Sequence, residues 1–287
     1  MKDTAHGLEG GWSKVILPRR GWWTIPWREI WAYRDLALLM SKRDVAANYK
    51  QTVLGPVWFI AQPLMMTLCV AFIFGNMVHL QTDRLPSILF FFSGIALWTF
   101  LAECLGKTSQ TFQLNAGIFE KVYFPRLIVP LANSMTALVG FAIQFTCFLG
   151  FLIFYCATTD QVHPNWRVIF LPLFVLQMAL LGTGLGCIVS ALSTRFRDLS
   201  LGVNVGIQIW MYASTVLFPL SRVDEKHRWL FLINPTVPVI EAFRFAFLGV
   251  GKVEKWHLLL SLSMSVSLFL VGLMLFNRAE QTAMDSV

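Results

Sequence analysis

Residue types and spacings that could catalyse a reaction are scarce in this chain of 287 residues. It has no D-x-D pair to hold the metal of a nucleotide-sugar transferase, no G-x-S-x-G turn to present a serine, and no H-E-x-x-H helix to bind zinc. Acyl or glycosyl transfer needs acids, nucleophiles or metal ligands of this sort. An enzyme is therefore the less favoured class, and we assign no catalytic residue.

The search for a nucleotide site gives one near-match, at residues 106–108. These read Gly-Lys-Thr, but Leu101 stands where a phosphate-binding loop has its first glycine. The G-x-G-x-G run at 182–186 follows no predicted strand. Like Gly202 and Gly206, it has small-residue spacing that lets helix backbones approach closely. We predict that the chain binds no ATP and that these glycines pack helices.

Metal-binding residues are equally sparse. The five cysteines form no C-x-x-C pair and mostly lie inside apolar runs, which is typical of small hydrophobic residues. His79, His163 and His227 lie at or beyond the ends of the apolar runs, where a solvated histidine is the ordinary state. The sequence therefore predicts no metal and no cofactor in this chain.

The composition indicates that lipid is the main solvent. Hydrophobic residues make up 56% of the chain and charged residues 14%, and the mean hydropathy is +0.62. The net charge of +7 comes mainly from an N-terminal block and from connections between apolar runs, where basic residues meet anionic headgroups. Nucleic acid is therefore not expected as a partner, and membrane lipids are.

Six stretches reach the length of about 20 apolar residues that a spanning helix needs. We expect an all-α integral membrane protein whose spans lie at about 55–79, 86–105, 130–156, 168–192, 200–220 and 256–276. Pro63 inside the first stretch predicts a bend that a membrane helix tolerates. With no short apolar leader at the start, residues 1–53 are predicted as a cytoplasmic segment and 54–287 as the membrane domain.

The placement of basic residues predicts the topology. Fifteen Lys and Arg residues lie on one face and only two in the short loops of the other, which places both termini in the cytoplasm. The N-terminal segment is rich in tryptophan and in both charge signs, so an interfacial amphipathic helix is predicted at about 27–44.

The long stretch before the last span contains further basic residues that this topology would place on the non-cytoplasmic face. It is apolar, but it contains Pro235, Pro238, Glu241 and Arg244. A full crossing would expose charges and broken backbone to hydrocarbon at several kcal/mol each. A re-entrant helical hairpin at about 229–250 is therefore predicted.

Three connecting strings make the sequence specific: SKRDVAANYKQTVLGPVWFIAQP at 41–63, QLNAGIFEKVYFPRLIVP at 113–130, and STRFRDL at 193–199. Together they resemble the permease subunits of type-2 ABC transporters, specifically the polysaccharide exporters for O-antigen, capsule and teichoic acid. The resemblance extends from about residue 27 to the end. The matching residues are Arg43, Asp44, Tyr49, Lys50, Gln51, Thr52, Leu54, Gly55, Trp58, Gln62, Pro63, Asn115, Lys121, Val122, Tyr123, Phe124, Pro125, Arg126, Arg195, Arg197, Asp198, Asn234 and Pro235. Asn48 departs from the pattern, because relatives commonly have arginine there.

The resemblance implies that transport and ATP hydrolysis are carried out by separate chains. It implies a homodimer in a bacterial inner membrane, joined to two separate ATP-binding subunits that hold ATP and Mg. It also implies a coupling helix that docks on the ATPase, formed by Asn115, Ala116, Gly117, Ile118, Phe119, Glu120 and Lys121.

The resemblance further implies a path for a lipid-linked glycan. Aromatic rings can stack on the C–H faces of sugars, so pore-lining candidates are Trp58, Phe59, Phe90, Phe91, Phe92, Trp98, Trp210 and Tyr212. Arg43, Tyr49 and Lys50 are the candidates for the entrance, where a diphosphate headgroup would pass. Core packing and inside-positive anchoring are the alternative roles of these residues.

The expected function is therefore export of a lipid-linked polysaccharide by an ATP-driven transporter. The same permease class could instead export a lipo-oligosaccharide, a lipid or a drug. A membrane-embedded acyl- or glycosyltransferase would be active without an ATPase, and a passive channel would show flux without ATP.

Overall fold

The computed structural model describes residues 27–50, 57–78, 82–83, 85–119, 121–196, 198–251 and 254–285, and within these ranges it is helical with no strand. Twelve α-helices lie in the described ranges, and a π-helical stretch, Ala71–Met77, directly continues α3. Their bounds are α1 Trp27–Ala32, α2 Arg34–Lys50, α3 Val57–Val70, α4 Ser87–Ser109, α5 Thr111–Leu114, α6 Ala116–Phe119, α7 Ile128–Thr158, α8 Leu171–Ser193, α9 Asp198–Tyr212, α10 Glu225–Ile233, α11 Thr236–Leu248 and α12 Lys255–Asp285.

Four helical stretches in the described residues are long and apolar enough to cross a membrane, and the bent pair α10–α11 would make a fifth. The four are Ser87–Ser109, Ile128–Thr158, Trp166–Ser193 and Lys255–Gln281. They coincide with the second, third, fourth and sixth predicted spans. A proline in the first turn opens α8, where its missing N–H costs nothing. The chain is thus a multi-pass membrane protein.

The two remaining predicted spans are shorter as single helices. The first consists of α3, with Pro63 inside it, and the π-helical stretch that follows. The fifth was expected to reach residue 220, but α9 ends at Tyr212 and gives way to a turn. The carbonyl groups released by that turn bind a buried arginine, as described below. The six-span count remains a prediction.

Helix α4 lies at the centre of the bundle. It is apolar on every side, as a helix surrounded by others must be, and 78% of its most apolar window is buried. It packs against α3, α7, α8, α9 and α11. At one end of the bundle, Phe92 joins a ring cluster with Phe148, and Phe148 contacts Phe243 and Phe247 of α11.

Helices α8 and α12 approach each other backbone to backbone. A Cβ atom added to Gly272 would lie 2.2 Å from the carbonyl oxygen of Gly184, so neither position has room for a side chain. A Cβ atom on Gly182 or Gly186 would lie 2.8 Å or 2.6 Å from atoms of α4, so the predicted packing role of this glycine run is confirmed. Gly202 and Gly206 of α9 face open space in the single chain, and their predicted packing role is wrong within it.

The chain bends by 102° between α10 and α11. Helix α11 is buried along almost its whole length. It ends at Gly249, whose φ of 78° is the left-handed conformation that glycine adopts most readily. A Cβ on Gly249 would also clash with the carbonyl oxygen of His163, at 2.8 Å.

Candidate functional site

The segment between α4 and α7 forms the predicted coupling region at one end of the bundle. Two short helices, α5 and α6, meet at Asn115 instead of forming one helix over 115–121. The Asn115 side chain donates a hydrogen bond from Nδ2 to the carbonyl oxygen of Thr111 at 3.0 Å, which closes α5. Lys121 lies in the following turn, and Glu120 is outside the described residues.

The coupling segment, which we define as residues 111–126, has an exposed tip. Leu114 is 71% exposed, and Ala116 and Gly117 are exposed beside it. A Cβ atom at Gly117 would meet nothing within 4 Å. The Leu114 side chain is therefore available for contact with another chain.

The base of the coupling segment is packed onto the last helix. The Phe112 ring stacks on Phe276 of α12, with centroids 4.6 Å apart. The guanidinium carbon of Arg126 lies 5.0 Å from the ring centroid of Phe119 and 6.0 Å from that of Phe112. The backbone N–H of Arg126 donates to a carboxylate oxygen of Glu280 at 3.4 Å. The segment therefore contacts α12 through both rings and backbone.

Sequence reasoning missed Phe112 and Phe276. Phe276 lies inside an apolar run, where the sequence does not distinguish a packed phenylalanine from a lipid-facing one. Phe112 precedes the recognised string. The only available signal was Arg126, which that string contains.

The N-terminal helices contact the same region from another side. Ala37 and Met40 of α2 are buried against Phe124 and Ile128, and Ile30, Tyr33 and Leu36 flank them with Phe119. Helix α2 also packs along α7. The predicted interfacial segment is therefore helical and lies against the coupling segment.

The structure shows little of the predicted entrance. Arg43 forms an ion pair with Asp44 at 2.9 Å, and its own side chain is 58% exposed. The side chains of Tyr49 and Lys50 lie outside the described residues. The entrance role of all three remains a prediction.

A buried ion pair lies toward the opposite end of the bundle. Arg244 of α11 is 2% exposed, and its Nη1 lies 3.2 Å from a carboxylate oxygen of Glu241, itself 4% exposed. The guanidinium group also donates to the carbonyl oxygens of Thr215 at 2.6 Å and Val216 at 3.0 Å, in the turn that ends α9. The Arg244 side chain thus ties α11 to the unwound end of α9.

The same arginine contacts α4. Its Nη2 lies 3.4 Å from the carbonyl oxygen of Phe90, and its Nε lies 3.3 Å from the hydroxyl of Ser93. Its guanidinium carbon is 3.7 Å from the Phe90 ring centroid. Gly94 leaves the space for this, because a Cβ there would lie 2.8 Å from Nη2. Arg244 therefore joins α11, α4 and the turn after α9, and Glu241 is its ion-pair partner.

A polar cavity of about 560 Å³ opens beside this ion pair. Glu241 forms part of its wall, and the other ionisable lining residues come from helices and loops at this end. They are Asp83, Arg167, Arg228, Glu254 and His257. Within the described residues, no three His, Cys, Asp or Glu side chains could hold a metal ion.

The bend between α10 and α11 is held by hydrogen bonds from its neighbours. Nε1 of Trp210 donates to Oδ1 of Asn234 at 3.1 Å, and Nδ2 of Asn234 donates to the carbonyl oxygen of Ala213 at 3.1 Å. The carbonyl oxygen of Pro235 accepts from the Ser261 hydroxyl of α12. The predicted Asn-Pro element is therefore the bend itself, fastened to α9 and α12.

The predicted pore aromatics divide into two groups. Phe90, Phe91, Phe92 and Trp98 are at most 5% exposed inside the chain, and Trp98 meets Trp210 edge to face at 5.5 Å. Trp58 and Tyr212 are 46% and 62% exposed, and the Phe59 side chain is outside the described residues. The first group packs the core of the single chain. Pore lining remains a prediction for the whole set.

Long apolar helices around a central one, with a short segment projecting at one end, are the architecture of a polytopic membrane protein. Residues 36–248 match the family model described as ABC-2 type transporter. The chain therefore belongs to the ABC-2 type transporter family.

Relatives match over nearly the whole chain. An O-antigen export system permease protein RfbA from Klebsiella pneumoniae is 28% identical over 86% of this chain and 92% of its own length. Another RfbA, from Myxococcus xanthus, is 25% identical over 91% of this chain and 98% of its own. The polysialic acid transport protein KpsM of Escherichia coli is 23% identical over 85% and 93%, respectively.

Proposed function

We propose that this chain is the permease subunit of an ATP-driven exporter that moves a lipid-linked polysaccharide, such as an O-antigen or a capsule, across the bacterial inner membrane. Relatives named for O-antigen and polysialic acid transport match 85% to 91% of its length, which supports this cargo class. The observation that carries the proposal is the coupling segment, whose exposed tip and packed base suit a contact that receives force from another protein.

In this proposal two copies of the chain join two ATP-binding subunits, which bind ATP and Mg and dock on residues 115–121. The coupling side and both termini lie in the cytoplasm in this proposal, which the many basic residues on that side support. Helix α3 with its π-helical continuation, and α9 with its following turn, supply the two further spans of a six-span permease. Helices α10 and α11, bent by 102°, form the re-entrant hairpin.

Loss of the gene tests the cargo. Cells lacking the chain are expected to accumulate lipid-linked glycan inside and to lose the surface glycan, and the wild-type gene is expected to restore both. Normal surface glycan in such cells would contradict the proposal. Loss of another lipid or drug efflux, with normal glycan, would favour the alternative cargoes of the same permease class.

Replacement of the tip tests the coupling role. A Gly/Ser linker at residues 115–121 is expected to leave the protein inserted and to abolish export, because a flexible chain cannot transmit displacement. Gly117→Ala is the matched control, since its Cβ would meet nothing within 4 Å. Retained export in the linker variant would count against this assignment.

A further inference from the structure

Helix α12 contacts both candidate regions of the molecule. Near its C-terminal end, Phe276 stacks on Phe112 of the coupling segment, and Glu280 accepts the backbone N–H of Arg126. Near its N-terminal end, the Ser261 hydroxyl donates to the carbonyl oxygen of Pro235, at the bend between α10 and α11. The coupling segment has no direct chain connection to α12, so side-chain and backbone contacts alone join them.

The helix between these contacts is built to move as a unit. Residues 261 and 276 are separated by about 22 Å along the axis at 1.5 Å per residue, and α12 contains no proline over its 31 residues. Between these residues, one turn before Phe276, the absence of side chains at Gly184 and Gly272 brings the α8 and α12 backbones into contact. Bending α12 there would break that contact, so axial or rocking motion is the available one.

The polar contact at the far end is shared with α8. Nε2 of Gln177 donates to the Ser261 hydroxyl at 2.6 Å, and that hydroxyl in turn donates to Pro235. All three lie in the buried interior, where an unmade hydrogen bond is costly. A displacement of α12 must therefore carry the bend with it or break this chain of hydrogen bonds.

We propose that α12 transmits displacement of the coupling segment to the bend between α10 and α11, with Phe276 and Ser261 as the positioning residues at its two ends. The inference rests on the proposed function, and it adds a route that chain connectivity alone does not give. By connectivity, the coupling segment would act on α4 and α7, the helices it joins. Packing adds α12 as a third helix on which the coupling segment acts, and α12 reaches the opposite end of the bundle.

The experiment compares two quantities for each variant. One is the surface glycan of cells at equal abundance of the complex, and the other is ATP hydrolysis by the purified complex of this permease with the ATPase of the same transport system. Phe276→Ala is expected to keep ATP hydrolysis and to reduce surface glycan about tenfold, a typical strength of coupling between distant sites. Phe112→Ala, on the less buried side of the same stack, is expected to do the same, and the double variant is expected to be no worse than either.

Controls separate transmission from mere stability. Phe100→Ala removes a similarly buried ring from α4, whose ring contact is with Phe141 of α7, and is expected to change abundance without changing glycan exported per ATP hydrolysed. Ser261→Ala is expected to reduce export at unchanged hydrolysis. Ser265→Ala is its matched control, because this hydroxyl is as buried on the same helix but donates only within it, to the Ser261 carbonyl oxygen.

Unchanged export per ATP hydrolysed in Phe276→Ala and Phe112→Ala, or equal effects of Ser261→Ala and Ser265→Ala, would overturn the inference. A failure of the proposed function is seen separately, because the deletion strain would then keep its surface glycan before any variant is made.

Discussion

The guanidinium group of Arg244 lies 3.2 Å from a carboxylate oxygen of Glu241, one turn earlier on the buried helix α11. Removing one member of a buried pair leaves the other charged without a partner, which costs more than the pair itself contributes. Arg244 also donates to backbone carbonyl groups of the turn after α9 and of α4. This side chain therefore joins three elements that are distant in sequence.

Loss of that arginine is expected to be severely destabilising. Arg244→Met should lower the free energy of unfolding by about 3–5 kcal/mol, because a carboxylate and several carbonyl groups lose their donor in an apolar surrounding. Thermal unfolding of the detergent-solubilised protein measures it. Lys107→Met breaks the half-exposed Glu103–Lys107 pair instead, and it should cost about 0–1 kcal/mol. Equal effects of the two variants would contradict the structural role of Arg244.

The contact of α8 with α12 predicts an unusual sensitivity to a single methyl group. Gly272→Ala places a Cβ against the Gly184 carbonyl oxygen, so the helices must separate, at a cost of about 1–3 kcal/mol. Gly150→Ala and Gly202→Ala add the same group to open space and should be neutral or slightly stabilising. Melting temperatures of the three variants in one detergent provide the comparison.

The exposed tip of the coupling segment predicts a partner contact. Leu114→Arg should reduce recovery of the ATPase with the purified permease, because a charge replaces an apolar side chain that is 71% exposed in the single chain. A loss of about tenfold or more is expected for a residue central to an interface. Asp160→Arg, exposed in the loop at the opposite end, is the control. Equal recovery of the ATPase with both variants would remove Leu114 from the contact.

Cysteine labelling separates pore aromatics from core aromatics. In a variant without its five native cysteines, Tyr212→Cys and Trp58→Cys should react with a charged maleimide in the assembled exporter, provided that they face a water-filled path. Phe91→Cys, which has no exposed surface in the single chain, should not react. Protection of the first two would place them in lipid or in packed interfaces.

Apolar length was enough to predict α4, α7, α8 and α12, because a membrane demands a minimum run of apolar residues and these four exceed it. It failed at the end of α9, where the sequence stays apolar beyond Tyr212. The turn there depends on Arg244, a residue brought close only by folding. The periodicity of apolar residues cannot predict a contact with a residue so distant in sequence.

The coupling segment likewise combines a feature that the sequence predicts with a contact that it does not. Its location is predicted from the string around Lys121, and α2 overlaps the helix that the tryptophans and mixed charges of the N-terminal segment predict at about 27–44. The stack of Phe112 on Phe276 could not be inferred, because lipid-facing and packed phenylalanines give the same apolar signal. Likewise, sequence grouped Phe90 with the exposed Tyr212, although the fold gives them opposite surroundings.

Exposed Leu114 and buried Phe276 differ in what a substitution can change, although one short segment links them. Under the proposed function, we expect substitutions at the tip to alter which ATPase is accepted, and substitutions at the base to alter what the motion of the ATPase does. Related exporters could therefore differ in partner choice and still transmit force in the same way, and a chimera that exchanges only residues 114–121 should exchange the partner alone.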